Sequence, residues 1–199
     1  MIAMKVTKEK SAENHRALIR AASKLFRRYG IDGVGVSDVA KAAGLTHGAL
    51  YAQFSSKAAL AAAALAEGLQ NNHEKTVAIS RGDKPSIGGL LDYFITTHHR
   101  DNMATGCAIA ASGSEIARQS KSVSRSLAEG FERMARHIEA AVQPTSGNAT
   151  ARERAITIAA AEIGALIVAR GVAKSNPKLS DDVLAASRRV LGEIGGEVL

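Results

Sequence analysis

Gly44 is the residue that most restricts how this chain can fold. It separates two short helical patterns inside SDVAKAAGLTHGALYAQF, residues 37–54, and glycine takes the left-handed backbone of a helix-ending turn without a Cβ clash. Before it, Ser37 is an N-cap candidate, and Val39, Ala40 and Ala43 form a narrow apolar stripe. After it, Leu45 plugs the corner and Thr46 caps a second helix in which Leu50 and Phe54 share a face. Small residues at Ala40 and Gly44 let the two helices cross closely, as a helix-turn-helix requires. With Leu50 and Phe54 inward, Gly48 and Ala52 point outward, flanked by His47, Ala49 and Tyr51, and these are the residues expected to face a DNA groove.

The charge distribution agrees with that placement. The chain of 199 residues carries a net charge of +7; residues 1–60 hold 10 Lys/Arg against 4 Asp/Glu, leaving +6 there and +1 in the rest. A basic excess concentrated around one motif suits an anionic partner at that motif. Helix is favoured throughout: aromatics are 4%, prolines number 3, and no stretch alternates long enough to insist on a strand. The expected fold is all-α with about nine helices, in a DNA-binding domain over residues 1–60 and a helical regulatory domain over residues 61–199. Cys107 is the only cysteine, so no internal disulfide forms, and with no N-terminal apolar segment a reduced cytoplasmic protein is expected. The most apolar run, residues 155–169, is expected to be too short to span a membrane and is interrupted by Glu162.

In chain order, residues 1–12 form a lysine-bearing lead-in that either lies along a phosphate backbone or is a solvated tail. A first helix is expected over 13–29, its apolar side Leu18, Ala22, Leu25, Phe26 and Tyr29 and its basic side including Arg27. Ser55 or Ser56 caps a fourth helix whose first turn holds Lys57 and which ends between residues 71 and 80, before a loop at 81–85. A fifth is expected over 86–99, a sixth over 108–118 after Gly106 and Cys107, and a long amphipathic seventh over 120–142. An eighth over 151–174 and a ninth from Ser180 to near Leu199 complete the pattern, the ninth with an apolar stripe reaching Val198.

The stretch ALIRAASKLFRRYGIDGVGVSDVAKAAGLTHGALYAQFSSKAAL, residues 17–60, resembles the DNA-binding domain of the tetracycline-repressor (TetR) family. The likeness rests on the A-x-x-L-F pair of the first helix, the G-x-x-x-x-S-x-x-x-A-x-x-A-G register of the second, the L-Y-x-x-F end of the third and the S-K start of the fourth. The resemblance implies that Ser37, Thr46, Tyr51 and Lys57 lie at backbone phosphates and that His47, Gly48, Ala49 and Tyr51 lie near base edges, with Gln53 completing the set. Hydroxyls and an ammonium at helix N-termini suit phosphate oxygens on physical grounds as well. Many members carry a second aromatic and a histidine where this chain has Ala52 and Gln53, so fewer side chains reach DNA. Readout then leans on His47, on contact with thymine methyls and on close backbone approach at Gly48. Alternatively, Tyr51 is core and His47 meets only phosphate or solvent.

The eighth helix is apolar nearly all round apart from Thr157 and Glu162, so it needs a second partner, and with the ninth it would form a four-helix interface in a homodimer. A monomer with that helix fully central is the alternative. The intervening helices have room for a small-molecule effector, with Tyr93, Phe94, Thr97, Met103, Cys107, Ile116, Phe131 and Met134 as candidate lining, each also explicable as ordinary core. Family resemblance implies that the effector shifts the fourth helix and lowers operator affinity, the partners being double-stranded DNA and an effector, with no membrane, cofactor or metal. Cys107 opens a second possibility: a thiol at a helix N-terminus has a depressed pKa and senses oxidants or electrophiles, the alternative being a buried, inert cysteine. A third is constitutive DNA binding or activation. An enzyme is the rival class, but His98 and His99 diverge by about 100° on a helix. The sequence holds no HExxH, phosphate loop or nucleophile elbow.

Overall fold

Side chains reaching back to their own backbone define most of the helix starts. The computed structural model describes residues 7–79 and 85–197. Thr7 accepts from the Lys10 N–H at 3.2 Å and begins α1 (Lys8–Tyr29), so this helix starts earlier than the expected residue 13. Next come α2 (Val36–Ala42), α3 (His47–Tyr51) and α4 (Lys57–Ile79). They are followed by α5 (Ile87–Phe94), α6 (Thr97–Asp101), α7 (Ala108–Ile116), α8 (Lys121–Glu139), α9 (Ala151–Val172) and α10 (Pro177–Gly195), with no strand among the described residues. The expected loop positions 81–84, the Val198 end of the last stripe and residues 1–6 of the lead-in lie outside the described residues.

Among the described residues there are ten helical segments where about nine were expected, because Thr96 breaks the fifth. Its hydroxyl accepts from the His99 N–H at 3.1 Å, ending α5 and opening the short α6. The last helix also starts sooner than Ser180. Asn176 caps it through the Leu179 N–H at 3.0 Å and Pro177 takes the first position, where a missing N–H costs nothing. Ser180 is instead buried and donates to the Ala169 carbonyl at 2.8 Å, tying α10 to α9.

Leu18, Ala22 and Phe26 of α1 join Val39, Ala40, Leu50 and Phe54 in a core continuous with Leu60, Leu65 and Leu69 of α4. Helix α4 packs on α1 at one end and on α8 along its length, so it belongs to both halves. Helix α9 lies against α8 and α10 and also touches α6 and α7. At 22 residues it extends beyond the apolar run 155–169 and has the length and composition of a membrane-crossing helix, as core helices also can; Glu162 sits at its centre, buried among protein groups.

Candidate nucleic-acid interface

The turn between α2 and α3 is closed by backbone bonds that need Gly44. With φ at +69°, Gly44 donates to the Lys41 carbonyl at 3.0 Å while Leu45 donates to Ala40 at 2.9 Å, a paired closure that leaves Leu45 packed against the core. Thr46 then accepts from the Ala49 N–H at 3.2 Å and starts α3, as its sequence position implied. Ser37 is not the cap of α2. Gly35 holds that position in an extended conformation, and the Asp38 carboxylate accepts from the Gly35 N–H at 3.0 Å, which moves the helix start ahead of Ser37 and leaves its hydroxyl on the exposed first turn. Ser56, rather than Ser55, accepts from Ala59 at 3.1 Å and places Lys57 at the first position of α4.

Leu50 and Phe54 are buried, and the opposite side of α3 is open. His47, Gly48, Tyr51 and Ala52 are exposed and Ala49 is half-buried. Tyr51, 49% exposed, meets the edge of His47 with ring centroids 4.9 Å apart, so it is not a core residue. Nothing lies within 4 Å of where a Cβ on Gly48 would stand, which leaves its backbone open to close approach. Gln53 is partly committed elsewhere: its amide donates to the Ser11 hydroxyl at 2.9 Å. His15 stacks on Phe54 at 4.6 Å, so α1 braces the end of α3 twice. The residues Ser37 and Thr46 are exposed and Lys57 is half-buried, each within or next to the first turn of α2, α3 and α4 in that order.

The sequence reading put Arg27 on a basic outer face, but it is buried and joins the two halves. Its Nε donates to the Ser23 carbonyl at 2.9 Å and its Nη1 to the Gly106 carbonyl at 3.1 Å, and burial pulls its pKa below the usual value. Glu115 of α7 accepts from the Ile31 N–H at 2.8 Å, and Gln119 donates to Asp32 at 3.1 Å. These three contacts tie the α1–α2 corner to the region around α7.

Of the candidate effector-contacting residues, Phe94, Cys107 and Met134 line one cavity between α4, α5, α7 and α8. Tyr93 and Phe131 are half-buried against the core, Ile116 is buried near the end of α7, and Thr97 and Met103 are exposed; none of the five lines it. Its polar lining, Asn72, His73, Thr76 and His137, was missed. Asn72 and Thr76 continue the buried spacing of Leu65 and Leu69 on α4, and polar residues on an inward stripe were the available signal. Free space in the cavity is about 30 Å³, the share of a single water.

Cys107 does cap α7, its Sγ accepting from the Ala110 N–H at 3.4 Å, but burial raises its pKa against that bond, contrary to the depressed value expected at a helix N-terminus. Glu162 is 1% exposed with neither carboxyl oxygen bonded, and burial pushes its pKa well above 4.5, favouring the neutral acid. His98 and His99 diverge as expected: His98 is exposed, while His99 is buried against Tyr93 and Phe94 with its pKa pushed down to about 4, first by burial. No group of three metal-ligating side chains occurs among the described residues.

Residues 18–64 match the sequence profile of bacterial regulatory proteins of the tetR family. Over 77 residues, 39% of this chain, it is 34% identical to the HTH-type transcriptional regulator TtgR of Pseudomonas putida and, to the same extent, to the probable HTH-type transcriptional regulator ArpR of the same species. The matched stretch spans 36% of the length of each of these relatives. The fold is shared over far more of the chain. The reduced form of NemR from E. coli superposes with a TM-score of 0.73 at 18% identity, covering 94% of this chain and 97% of that one. A TetR-family regulator from Agrobacterium tumefaciens gives 0.72 at 17%, covering 92% and 98%. SmeT, the repressor of the Stenotrophomonas maltophilia multidrug efflux pump SmeDEF, gives 0.61 at 16%, covering 90% and 88%. An exposed α3 set by Gly44 and Thr46 and a profile match across those same residues agree: residues 18–64 are similar to the DNA-binding part of bacterial regulatory proteins of the tetR family, and the fold on both sides of α4 is that of the solved structures above.

Proposed function

We propose that this regulator is a repressor that binds a palindromic operator as a homodimer in the cytoplasm and leaves it when a small-molecule effector enters the bundle. Residues 1–60 would carry DNA binding and residues 61–199 effector binding and dimerisation. The observation that carries the reading is the open α3 face, with the hydroxyls of Ser37 and Thr46 and the ammonium of Lys57 at neighbouring helix starts in the chain. In the operator complex, Ser37, Thr46, Tyr51 and Lys57 hold phosphates, His47, Gly48 and Ala49 approach bases, and Gln53 supports from the edge. Dimerisation through α9 and α10 is supported by their uncovered apolar residues: Ile156, Ile167 and Val168 on α9, Leu179 and Val190 on α10. SmeT shares the fold and is a repressor, which supports repression over activation.

A footprint on DNA flanking the gene, repeated across a salt series, tests this. The expected result is a protected site with dyad symmetry whose affinity falls steeply with salt as phosphates displace counterions, bound by a species of dimer mass in sedimentation. Absence of protection, or affinity indifferent to salt, overturns it.

The alternative of oxidant or electrophile sensing through Cys107 draws on the helix-capping position of the thiol and has its burial against it. Operator release by an electrophile that is unchanged in Cys107→Ser removes that reading.

A further inference from the structure

The cavity between α4 and α8 is chemically lopsided. Its walls are largely apolar, yet His73 and His137 meet edge to face with ring centroids 5.5 Å apart beside Thr76. The Nε2 atom of His137 is buried and has no hydrogen-bond partner, although the Thr76 backbone lies close enough to favour the protonated ring. No carboxylate is among the lining residues. A buried nitrogen with no partner is a cost that a ligand can remove.

We propose that this cavity selects an organic acid: a planar apolar body bearing one carboxylate or phenolate oxygen that seats against His73 and His137. The inference rests on the effector reading above and names the class of effector.

Charge decides the class. Besides the two imidazoles, the titratable group lining the cavity is the Cys107 thiol from the start of α7, which burial keeps protonated. Arg133 lies one turn before His137 on α8, with its own Nε buried and unpartnered. Glu162, the carboxyl whose field reaches Cys107, is held neutral by burial and offers no negative charge to an amine. An ammonium group would therefore find no negative charge in the lining. A neutral amide would satisfy Nε2 and leave the charge of a protonated imidazole unanswered. In the empty cavity, burial and then His73 hold the His137 pKa below 6.5, so an anion that favours imidazolium draws in a proton as it binds.

Such a ligand cannot enter without moving helices. Cavities that hold drug-sized molecules measure about 300–1,000 Å³, whereas this one holds about 30 Å³. Opening it separates α4 from α8 and disturbs Asn72, whose amide lies 3.5 Å from the same Gly106 carbonyl that Arg27 of α1 holds.

Calorimetry on the full chain with 1-naphthoate, 1-naphthamide and 1-naphthylmethylammonium tests the proposal at pH 6 and 8, in two buffers of different ionisation enthalpy. Naphthoate is expected to bind tightest and about tenfold more tightly at pH 6, with proton uptake, and His137→Gln to abolish both the uptake and the pH effect. His73→Gln, a milder change on the facing helix, is expected to weaken naphthoate without removing the uptake, and thermal unfolding checks that both variants fold. Equal or tighter binding of the amide or the amine, no binding of any probe, or a pH effect that survives in a folded His137→Gln overturns it. Mobility shifts on the footprinted operator separate the two ideas. Release by the amine alone sinks the acid class and keeps the effector reading; naphthoate binding with proton uptake but no release keeps the class and sinks the effector reading.

Discussion

Both halves of the molecule cap their helix starts locally, but the bundle adds long-range bonds at its helix ends. Around α2 and α3 the partners are neighbours in the chain: Thr46 serves Ala49, Asp38 serves Gly35 and Ser56 serves Ala59, each three positions away. The bundle has local caps of the same kind at Ser86, Thr96, Cys107, Thr150 and Asn176, and adds bonds that cross the fold. Glu197 accepts from the N–H groups of Ile87 and Gly88 at the start of α5, 110 and 109 positions away, and Arg170 donates to the carbonyls of His99 and Arg100, 71 and 70 away. Local caps let α2 and α3 hold their own ends without help from the bundle. The added long-range bonds make those ends of the bundle sensitive to displacement of distant segments.

That contrast can be tested first with acid. His99 is buried in the bundle with its pKa near 4, below its ordinary 6.5, so the stability it contributes is present above pH 6.5 and is lost as pH falls through 4. Denaturant unfolding should show roughly 3 kcal/mol of loss over that window, largely absent in His99→Gln. A loss of equal size in the variant would place the acid sensitivity elsewhere.

Gly130→Ala comes next. An added methyl on α8 would overlap the side chain of Leu69 on α4, whose Cβ would stand 3.0 Å away. Overpacking of this kind costs about 2 kcal/mol. Because it forces apart the helices an effector must separate, it should also lower operator affinity with no effector present. A variant that loses stability but binds operator normally would uncouple the halves.

Thr46→Ala should cost about 1 kcal/mol of stability by removing the α3 cap, with a further loss of operator affinity that shrinks at high salt. Smallest is Lys57→Ala. It should leave the melting temperature unchanged, weaken every DNA sequence alike and reduce the salt slope by about 1. His47→Ala, by contrast, should act on sequence preference alone, and a variant that weakened all sequences equally would move His47 to the phosphate set.

What the sequence revealed follows the same division. Gly44, Leu45, Thr46 and the Leu50–Phe54 face were legible because each depends on residues within a turn or two. Ser37 misled for a local reason too: Asp38 can reach back to Gly35, and a glycine without a side chain does not advertise itself as a cap. Arg27 was unreadable, since nothing near it in the chain distinguishes a buried arginine from the exposed ones around it; its partner is Gly106, 79 positions on. His73 and His137 lie on different helices, and only the packing of α4 on α8 makes them a pair.

The near-absence of free space beside Leu69 and Gly130 bears on dose. If the cavity stands open in only a small fraction of molecules, an effector's apparent dissociation constant is its intrinsic one divided by that fraction. The concentration at which transcription responds is then a property of how tightly α4 sits on α8, as much as of the groups that touch the effector. Two regulators with the same lining and a different methyl at this contact would answer the same molecule at different set points.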